Sequence, residues 1–253
     1  MKITLLGTGT SQGIPVIACD CEVCKSNNPK DNRLRSSVLI EVDGQTIVID
    51  TGADFRQQML RENVQSLDGV FFTHEHADHI GGLDDLRPFC YKIGEMPIYL
   101  NQRTLESLEK RFEYIFSLEN KYPGAPSVLP NVVDKNSFVV NGLPVTPIEV
   151  FHGNLPITAY RFGDVAYLTD VKSVSEEEKQ KLQNLDVLIV NALRIEKHPT
   201  HFNLEEALEF VADIRPKKAF FTHISHRLGF HDEVSKSLPD NVFIAYDGLK
   251  ITV

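Results

Sequence analysis

The chain of 253 residues has no apolar run long enough to cross a bilayer, no basic run and no long apolar leader at its start. The lack of a long apolar run excludes a membrane-spanning protein. The lack of an apolar leader predicts a cytoplasmic protein, because residues 1–7 continue directly into a strand-like pattern. The formal net charge is −9 and the sequence pI is about 5.5. Because phosphate neutralisation drives the binding of long nucleic acids, this charge argues against a polynucleotide partner, although local basic residues can still hold one or two phosphates.

Cysteine is also scarce, and three of the four cysteines stand together as Cys19, Cys21 and Cys24. In a protein expected in the cytoplasm, such a cluster predicts a metal site and not a disulfide framework. Cys90 stands alone between two aromatic residues, which predicts a small residue of the core. The 42% of apolar residues is ordinary for a globular protein and sufficient for a large core.

Short apolar runs alternate with helical spacings along the chain. Strands are predicted at 3–6, 37–42, 46–50, 70–73, 98–100, 137–140, 145–151, 159–162, 165–169, 187–190, 218–222, 242–245 and 251–253. Helices are predicted at 55–62, 83–91, 104–116, 176–185 and 204–214, and a surface loop at 122–127. This order fits two mixed sheets flanked by helices, an α/β sandwich in one domain over residues 1–253.

Residues 74–79 follow the apolar run 70–72 and hold four metal-ligand side chains, His74, His76, Asp78 and His79. Imidazole and carboxylate together suit divalent ions such as zinc, manganese or iron. The alternative is a solvated polar turn, which so dense a cluster makes a poor explanation.

Three more ligand-type residues each follow an apolar strand directly, namely His152, Asp170 and His223. Ligands at strand ends can converge at one edge of a sheet, held by rigid elements. Asp50 follows a strand in the same way, and either orients a ligand or is a turn residue.

These residues, in this order, resemble the metallo-β-lactamase superfamily over essentially the whole chain. The resemblance implies an αβ/βα four-layer sandwich with two metal ions at one edge. It also implies the ligands: His74, His76 and His152 for one metal, Asp78, His79 and His223 for the other, and Asp170 bridging both.

The two carboxylates Asp78 and Asp170 tilt the expected chemistry toward phosphate diesters. Two ions about 3.5–4 Å apart stabilise both the attacking and the leaving oxygen of a displacement at phosphorus, with a bridging hydroxide as the expected nucleophile. Manganese, zinc and iron all suit the ligands. The glycine-containing segment 7–13 lacks the lysine of a phosphate-binding loop, so it predicts a tight turn near the site.

The cysteine triplet needs a fourth ligand for a closed structural zinc site, and both Cys90 and His226 are candidates. The triplet and the stretch 222–226 resemble the phosphodiesterases of the carbon–phosphorus lyase pathway, which act on phosphoribosyl cyclic phosphate. That resemblance implies a structural zinc held by Cys19, Cys21, Cys24 and His226 in a loop at about 13–35.

A leaving alkoxide needs a proton, and His201, just before the helix 204–214, is the expected donor by the same resemblance. Its alternative is a surface histidine at a helix start. His198 and His231 are predicted to be ordinary surface residues. Arg35, Arg194 and Arg227 are the basic residues closest in sequence to these motifs, and none stands out as a phosphate ligand.

The hypothesis is therefore a metal-dependent phosphodiesterase of a small cyclic or ribosyl phosphate. The alternatives are an RNA- or tRNA-processing nuclease, a carboxylic ester or lactone hydrolase, and a non-catalytic metal-binding protein. The charge and the lack of a tRNA-gripping arm count against the nuclease, and the histidine at position 201 counts against the ester hydrolase. The resemblance also implies a homodimer, for which the sequence shows no exposed apolar stripe.

Overall fold

The computed structural model describes residues 1–117 and 122–253 and contains fourteen strands in that part of the chain. In chain order they are β1 Lys2–Gly7, β2 Ser37–Val42, β3 Gln45–Ile49, β4 Gly69–Phe71, β5 Met96–Leu100, β6 Val128–Val132, β7 Phe138–Val140, β8 Leu143–His152, β9 Leu155–Phe162, β10 Val165–Leu168, β11 Val187–Asn191, β12 Lys218–Thr222, β13 Val242–Ile244 and β14 Lys250–Thr252.

The α-helices of the described residues are α1 Phe55–Arg61, α2 Ala77–Ile80, α3 Arg87–Ile93, α4 Gln102–Arg111, α5 Glu113–Phe116, α6 Glu176–Gln180, α7 Leu204–Ile214 and α8 His231–Ser235. Short 3₁₀ turns lie at Pro29–Asp31, Leu83–Leu86 and His226–Leu228. None of the described helices is long and apolar enough to cross a membrane.

The strands form two seven-stranded sheets, with the orders β14-β1-β2-β3-β4-β5-β6 and β13-β12-β11-β10-β9-β8-β7. Both sheets are mixed: β3 to β6 run parallel, as do β10 to β13, whereas the hairpins β2–β3 and β8–β9 are antiparallel. The predicted pair of mixed sheets is therefore confirmed.

Alternation along the strands divides the apolar side chains between the faces of each sheet. Ile47 and Ile49 of β3 join the cluster between the two sheets, whereas Val48 joins the cluster under the helices on the other face. On the second sheet, Phe210 and Ile214 of α7 pack on the outer face. Three apolar clusters thus separate four layers, helices, sheet, sheet and helices, as the family resemblance implied.

The predicted elements differ from the structure where the local chemistry is ambiguous. The helix predicted at 104–116 is divided, because Phe112 leaves the helical conformation with φ −122° and ψ 42°. The helix predicted at 176–185 ends at Gln180. Strand β6 was missed because it contains Pro130. Within sheets, proline is found mainly on edge strands, and in a sequence it argues against a strand.

The segment after β1 is fastened to the second half of the chain by buried polar contacts. Asp247 accepts hydrogen bonds from the Thr8 amide at 2.9 Å, the Thr8 hydroxyl at 2.8 Å and the Leu34 amide at 2.7 Å. The buried guanidinium of Arg33 donates to the Thr8 hydroxyl at 2.7 Å. These bonds fix the N-terminal loop beside the strand ends that carry the candidate ligands.

Candidate active site

The site is built at the carboxyl ends of strands from both sheets. Asp50 follows β3, His74 follows β4, His152 ends β8, Asp170 follows β10 and His223 follows β12. The carboxyl ends of parallel strands meet at one edge of a sheet, so these residues converge. The spacing of one ligand after each apolar run was therefore a correct guide to their location.

Three of these residues adopt the left-handed backbone conformation that non-glycine residues seldom use: Asp50 with φ 64°, Asp170 with φ 60° and His223 with φ 53°. Asp and His tolerate this conformation better than branched residues do. Each turn directs a polar side chain off its strand toward the shared edge. The nearby Gly52 is required by a close approach, since an added Cβ would stand 2.1 Å from the Asp78 carbonyl oxygen.

His79 lies at the centre of the converging side chains. Its Nε2 atom is 3.1 Å from an Asp78 carboxylate oxygen and 3.2 Å from one of Asp170. The ligand atoms of His74, His79 and Asp170 lie within 4.8 Å of one another, as do those of Asp78, His79 and His223. Neither carboxylate oxygen is aligned for a hydrogen bond, so the buried Nε2 of His79 has no hydrogen-bond partner within the described part of the chain.

His76 and His152 adjoin this centre on the side of His74. The Nε2 atom of His74 lies 3.0 Å from Nδ1 of His76, and the rings of His76 and His152 have centroids 5.2 Å apart. Asp170 also belongs to a second group, with His152 and His201, whose ligand atoms lie within 4.8 Å of one another. The carboxylate of Asp170 therefore stands between the two predicted histidine sets, and His201 joins it there.

Hydrogen bonds from outside the centre orient the imidazoles. His79 Nδ1 donates to an Asp50 oxygen at 2.7 Å, and His152 Nδ1 donates to the Thr200 carbonyl at 2.8 Å. Both bonds leave Nε2 free to face a cation, which is the usual function of such outer contacts. Asp50 thus stands where the orienting residue was expected.

The charge balance of the centre favours a cation. Burial alone would lower the pKa of His79, but the carboxylates of Asp78, Asp170 and Asp50 raise it well above its usual value. Burial alone would raise the pKa of Asp170, and the facing His223 and His79 hold it well below its usual range. Burial lowers the pKa of His223 to about 4. The three carboxylates surround His79, and burial favours the neutral form of the neighbouring His74, His152 and His223, so the pocket has the N/O donors that bind divalent metals.

By donor type and mutual distance, six predicted ligands fit divalent metal ions, namely His74, Asp78, His79, His152, Asp170 and His223, whereas His76 belongs to none of these groups of the described residues. The candidate ligands come from strand ends and, for Asp78 and His79, from the short helix α2. Identity of the ions does not follow from this donor set, because zinc, manganese and iron all accept it.

The three clustered cysteines gather around one histidine, as the family resemblance implied. The Nδ1 atom of His226 lies 3.3 Å from the sulfurs of Cys19 and Cys21 and 3.4 Å from that of Cys24. A zinc tetrahedron with Zn–S near 2.3 Å and Zn–N near 2.0 Å has an S–N edge of about 3.5 Å. A hydrogen bond from the Cys24 amide lowers the pKa of Cys21 to about 6, which favours the thiolate that a metal needs.

Cys90, the other candidate for that fourth ligand, lies elsewhere. It is buried in the apolar cluster beneath α1 and α3, as predicted for a core residue. The cysteine group of the described chain consists of Cys19, Cys21, Cys24 and His226.

His231 is not at the surface as predicted, and His198 is half-buried against a second histidine. Nδ1 of His198 lies 3.1 Å from Nδ1 of His201, next to the candidate centre. His231 is buried, its Nδ1 atom 3.3 Å from the guanidinium of Arg33. Both are in irregular or short segments, where no periodicity indicates which side chains face inward.

The three arginines named as phosphate candidates are engaged by the protein itself. Arg35 pairs with Asp54 at 2.9 Å, and Arg227 pairs with Glu196 at 3.1 Å. Arg194 donates to the backbone carbonyl of Lys197 at 2.9 Å. The geometry therefore singles out no arginine as a phosphate ligand.

Residues 45–224 match the family described as beta-lactamase superfamily domain. The chain belongs to this family, in agreement with its layers, its sheets and the ligand-type residues at its strand ends.

A narrower relationship comes from a solved structure described as a new diphosphatase from the PhnP family. It is 41% identical, with a TM-score of 0.93, over 100% of this chain and 97% of that one. This likeness places the chain in the PhnP family.

Two relatives known from sequence carry other names. The octanoyltransferase of Porphyromonas gingivalis is 41% identical over 100% of this chain and 52% of its own length. Ribonuclease Z of Methanosarcina acetivorans is 31% identical over 56% of this chain and 44% of its own length. The chain thus spans about half the length of these two relatives, and their names describe the longer proteins.

We expect Asp50→Asn to weaken metal binding, because an amide at this position no longer accepts the Nδ1 hydrogen of His79 as a carboxylate does. Loss of such an orienting contact costs about 10–100-fold in metal affinity. Competition with a chromophoric chelator measures the change. The matched control is Asp68→Asn. Like Asp50, Asp68 accepts a hydrogen bond from a backbone amide, that of Thr46 at 2.7 Å, but it lies away from the centre. Equal affinities in both variants would remove the orienting role of Asp50.

We expect Cys21→Ser to lower both the thermal stability and the zinc content, by about one equivalent, because the closed site loses a thiolate. Plasma emission spectrometry of zinc-loaded protein and a thermal melt measure the two effects. Cys90→Ala serves as the control, since that thiol lies in the core. Unchanged zinc stoichiometry in Cys21→Ser would contradict the site.

Proposed function

We propose that the chain is a metal-dependent phosphodiesterase-type hydrolase that acts on a small phosphate diester, cyclic or ribosyl. The observation that carries this proposal is the position of His201. Its Nε2 atom lies 3.0 Å from a carboxylate oxygen of Asp170, within a negative, histidine-rich centre. A proton donor and a cation site thus share one edge of the fold.

In this proposal Asp170 would be a ligand of two divalent ions, with the remaining ligands divided as the family resemblance implies. His74, His76 and His152 would hold one ion, and Asp78, His79 and His223 would hold the other. When bound, such a pair supplies Lewis-acid stabilisation of phosphoryl oxygens and an acidified water. A separate zinc held by the cysteine cluster would hold the N-terminal loop in place.

The function of the protein's own groups follows from their positions. Thr10 contacts Nε2 of His223 at 3.0 Å, so the N-terminal loop supports one side of the centre. The ring of His201 stacks on that of His223 with centroids 5.1 Å apart, is buried, and directs Nε2 toward Asp170. A water releases one proton to solvent as its oxygen bonds to phosphorus, the bond from phosphorus to the leaving oxygen breaks, and His201 gives its Nε2 proton to that leaving oxygen.

Two features bear on the substrate class, namely the reaction at phosphorus that the centre supports and the charge of the protein. Hydrolysis of a diphosphate is also a displacement at phosphorus. The diphosphatase description of the solved relative is therefore compatible with the same arrangement. The ribonuclease relative supports a nuclease as the second candidate. The net charge of −9 and the internal pairing of Arg35 and Arg227 favour a small substrate over a polynucleotide.

We expect the manganese- or zinc-loaded protein to hydrolyse bis(4-nitrophenyl) phosphate, since two cations and a bound water suffice when the leaving group is good. Release of nitrophenolate at 405 nm, about the absorbance maximum of that anion, measures the rate, and a chelator should abolish it. A protein that hydrolyses a nitrophenyl carboxylic ester or a lactone but not the diester would contradict the proposal.

We expect His201→Ala to reduce turnover at least about 100-fold on a diester with an alkoxide leaving group, because general-acid assistance contributes about 10²–10⁴-fold. The loss should be far smaller with nitrophenolate, which departs without a proton. Initial rates on both substrates, with metal content checked in each variant, decide the matter. Equal losses on the two substrates would remove His201 as the general acid.

A further inference from the structure

His198 lies against the side of His201 that faces away from the metal centre. Nδ1 of His201 has two close neighbours, the Thr200 hydroxyl at 2.9 Å and Nδ1 of His198 at 3.1 Å. The two rings have centroids 4.9 Å apart and cross at 62°. The donor nitrogen Nε2 of His201 therefore faces Asp170, while its other nitrogen is held by this pair.

The hydrogen positions follow from what each atom can do. The Thr200 amide points at His198 Nδ1 at 3.3 Å, and an amide can only donate, so that nitrogen is an acceptor. The Thr200 hydroxyl lies 3.2 Å from the same nitrogen. Its single hydrogen can be donated to only one of the two Nδ1 atoms. If His201 Nδ1 carried no hydrogen, two lone pairs would face each other at 3.1 Å. Nδ1 of His201 therefore carries a hydrogen.

His198 is suited to accept that hydrogen. Its burial, with the positive charges of His201 and Arg194 nearby, lowers the pKa of His198 to about 4. The ring is therefore neutral at neutral pH, and the one lone pair of its Nδ1 atom is shared between the Thr200 amide at 3.3 Å and the Nδ1 hydrogen of His201 at 3.1 Å. A neutral acceptor orients His201 without adding the charge that a carboxylate would bring.

The loop that carries His198 is fixed at several points. Arg194 donates to the Lys197 carbonyl at 2.9 Å, and the Asn203 side chain donates to the Ile195 carbonyl at 2.8 Å. Glu196 pairs with Arg227, the residue after the cysteine-cluster histidine His226. The contact between the two histidines is thus part of an ordered loop.

We propose that His198 is a positioning residue that, with the Thr200 hydroxyl, holds the Nδ1 hydrogen of His201, so that Nε2 carries the one proton that can be transferred. This inference rests on the proposed function of His201 as general acid. Before the step, His201 bears hydrogens on both nitrogens. As the phosphorus–oxygen bond breaks, the Nε2 proton passes to the leaving oxygen, and His201 remains neutral with its Nδ1 hydrogen on His198 and Thr200.

The test compares His198→Ala with His198→Asn in the full chain loaded with manganese. The Asn side-chain oxygen can occupy the place of Nδ1 and accept the same hydrogen. For the diester with an alkoxide leaving group, kcat should fall about 10–100-fold in the Ala variant and return to near the parent value in the Asn variant. KM, metal content and bis(4-nitrophenyl) phosphate turnover should change little. Lys197→Ala, from the same loop, is the matched control.

A second measurement does not depend on activity. In nitrogen-15 NMR spectra of histidine-labelled, zinc-loaded protein, the His201 Nδ1–H signal is identified by its absence in His201→Ala. It should shift and exchange faster with water in His198→Ala, and return in His198→Asn. An unchanged signal in His198→Ala, or equal kcat losses on both substrates, would overturn the inference.

The two proposals fail differently. If His201→Ala loses both substrates equally, the general-acid proposal fails, and the NMR comparison still decides whether His198 holds the ring. If His201→Ala shows the leaving-group dependence and His198→Ala does not, only the positioning inference fails.

Discussion

The buried hydrogen bond between Asp50 and His79 is the contact on which the arrangement of the centre depends. A carboxylate in a fully buried position is costly unless its oxygens are satisfied, and burial raises the pKa of Asp50. Its partners are the Thr73 amide, the Thr73 hydroxyl and Nδ1 of His79, each at 2.7–2.8 Å. The end of β3 is thereby joined to the end of β4 and to α2. Because Nδ1 is engaged, Nε2 of His79 faces Asp78 and Asp170, and the negative centre forms around it.

The same centre concentrates backbone strain. Asp50, Asp170 and His223 all adopt positive φ, a conformation that costs free energy and persists only when the surroundings over-determine it. The surroundings here are strong: β12 pairs with β11 and β13, and Thr10 binds the His223 ring. The strain directs each side chain inward from a rigid strand, so the site is preorganised by the sheets and not by mobile loops.

The sequence was informative where a ligand follows an apolar run. His152, Asp170 and His223 could be located because strand periodicity ends just before them, and the pair of mixed sheets was predicted from the same runs. His198 and His231 could not, because loops have no period that distinguishes inward from outward side chains. Strand β6 was hidden by Pro130. Which histidines share a cation also lay beyond sequence spacing, since it depends on how separate strand ends meet, and the position of His201 beside Asp170 needed the fold.

Residues 222–226 contact three parts of the structure that are far apart in the sequence. His223 reaches the metal centre, Ser225 binds the Leu193 carbonyl with both its amide and its hydroxyl at 2.9 Å, and His226 meets the cysteines. Leu193 in turn begins the loop that carries His198 and His201, and its amide binds the Phe202 carbonyl at 3.0 Å. The loop that carries the three cysteines is therefore held, through this segment, at the start of the loop that carries His198 and His201. A structural zinc in this position would act on catalysis through geometry alone, by fixing where His201 stands relative to Asp170.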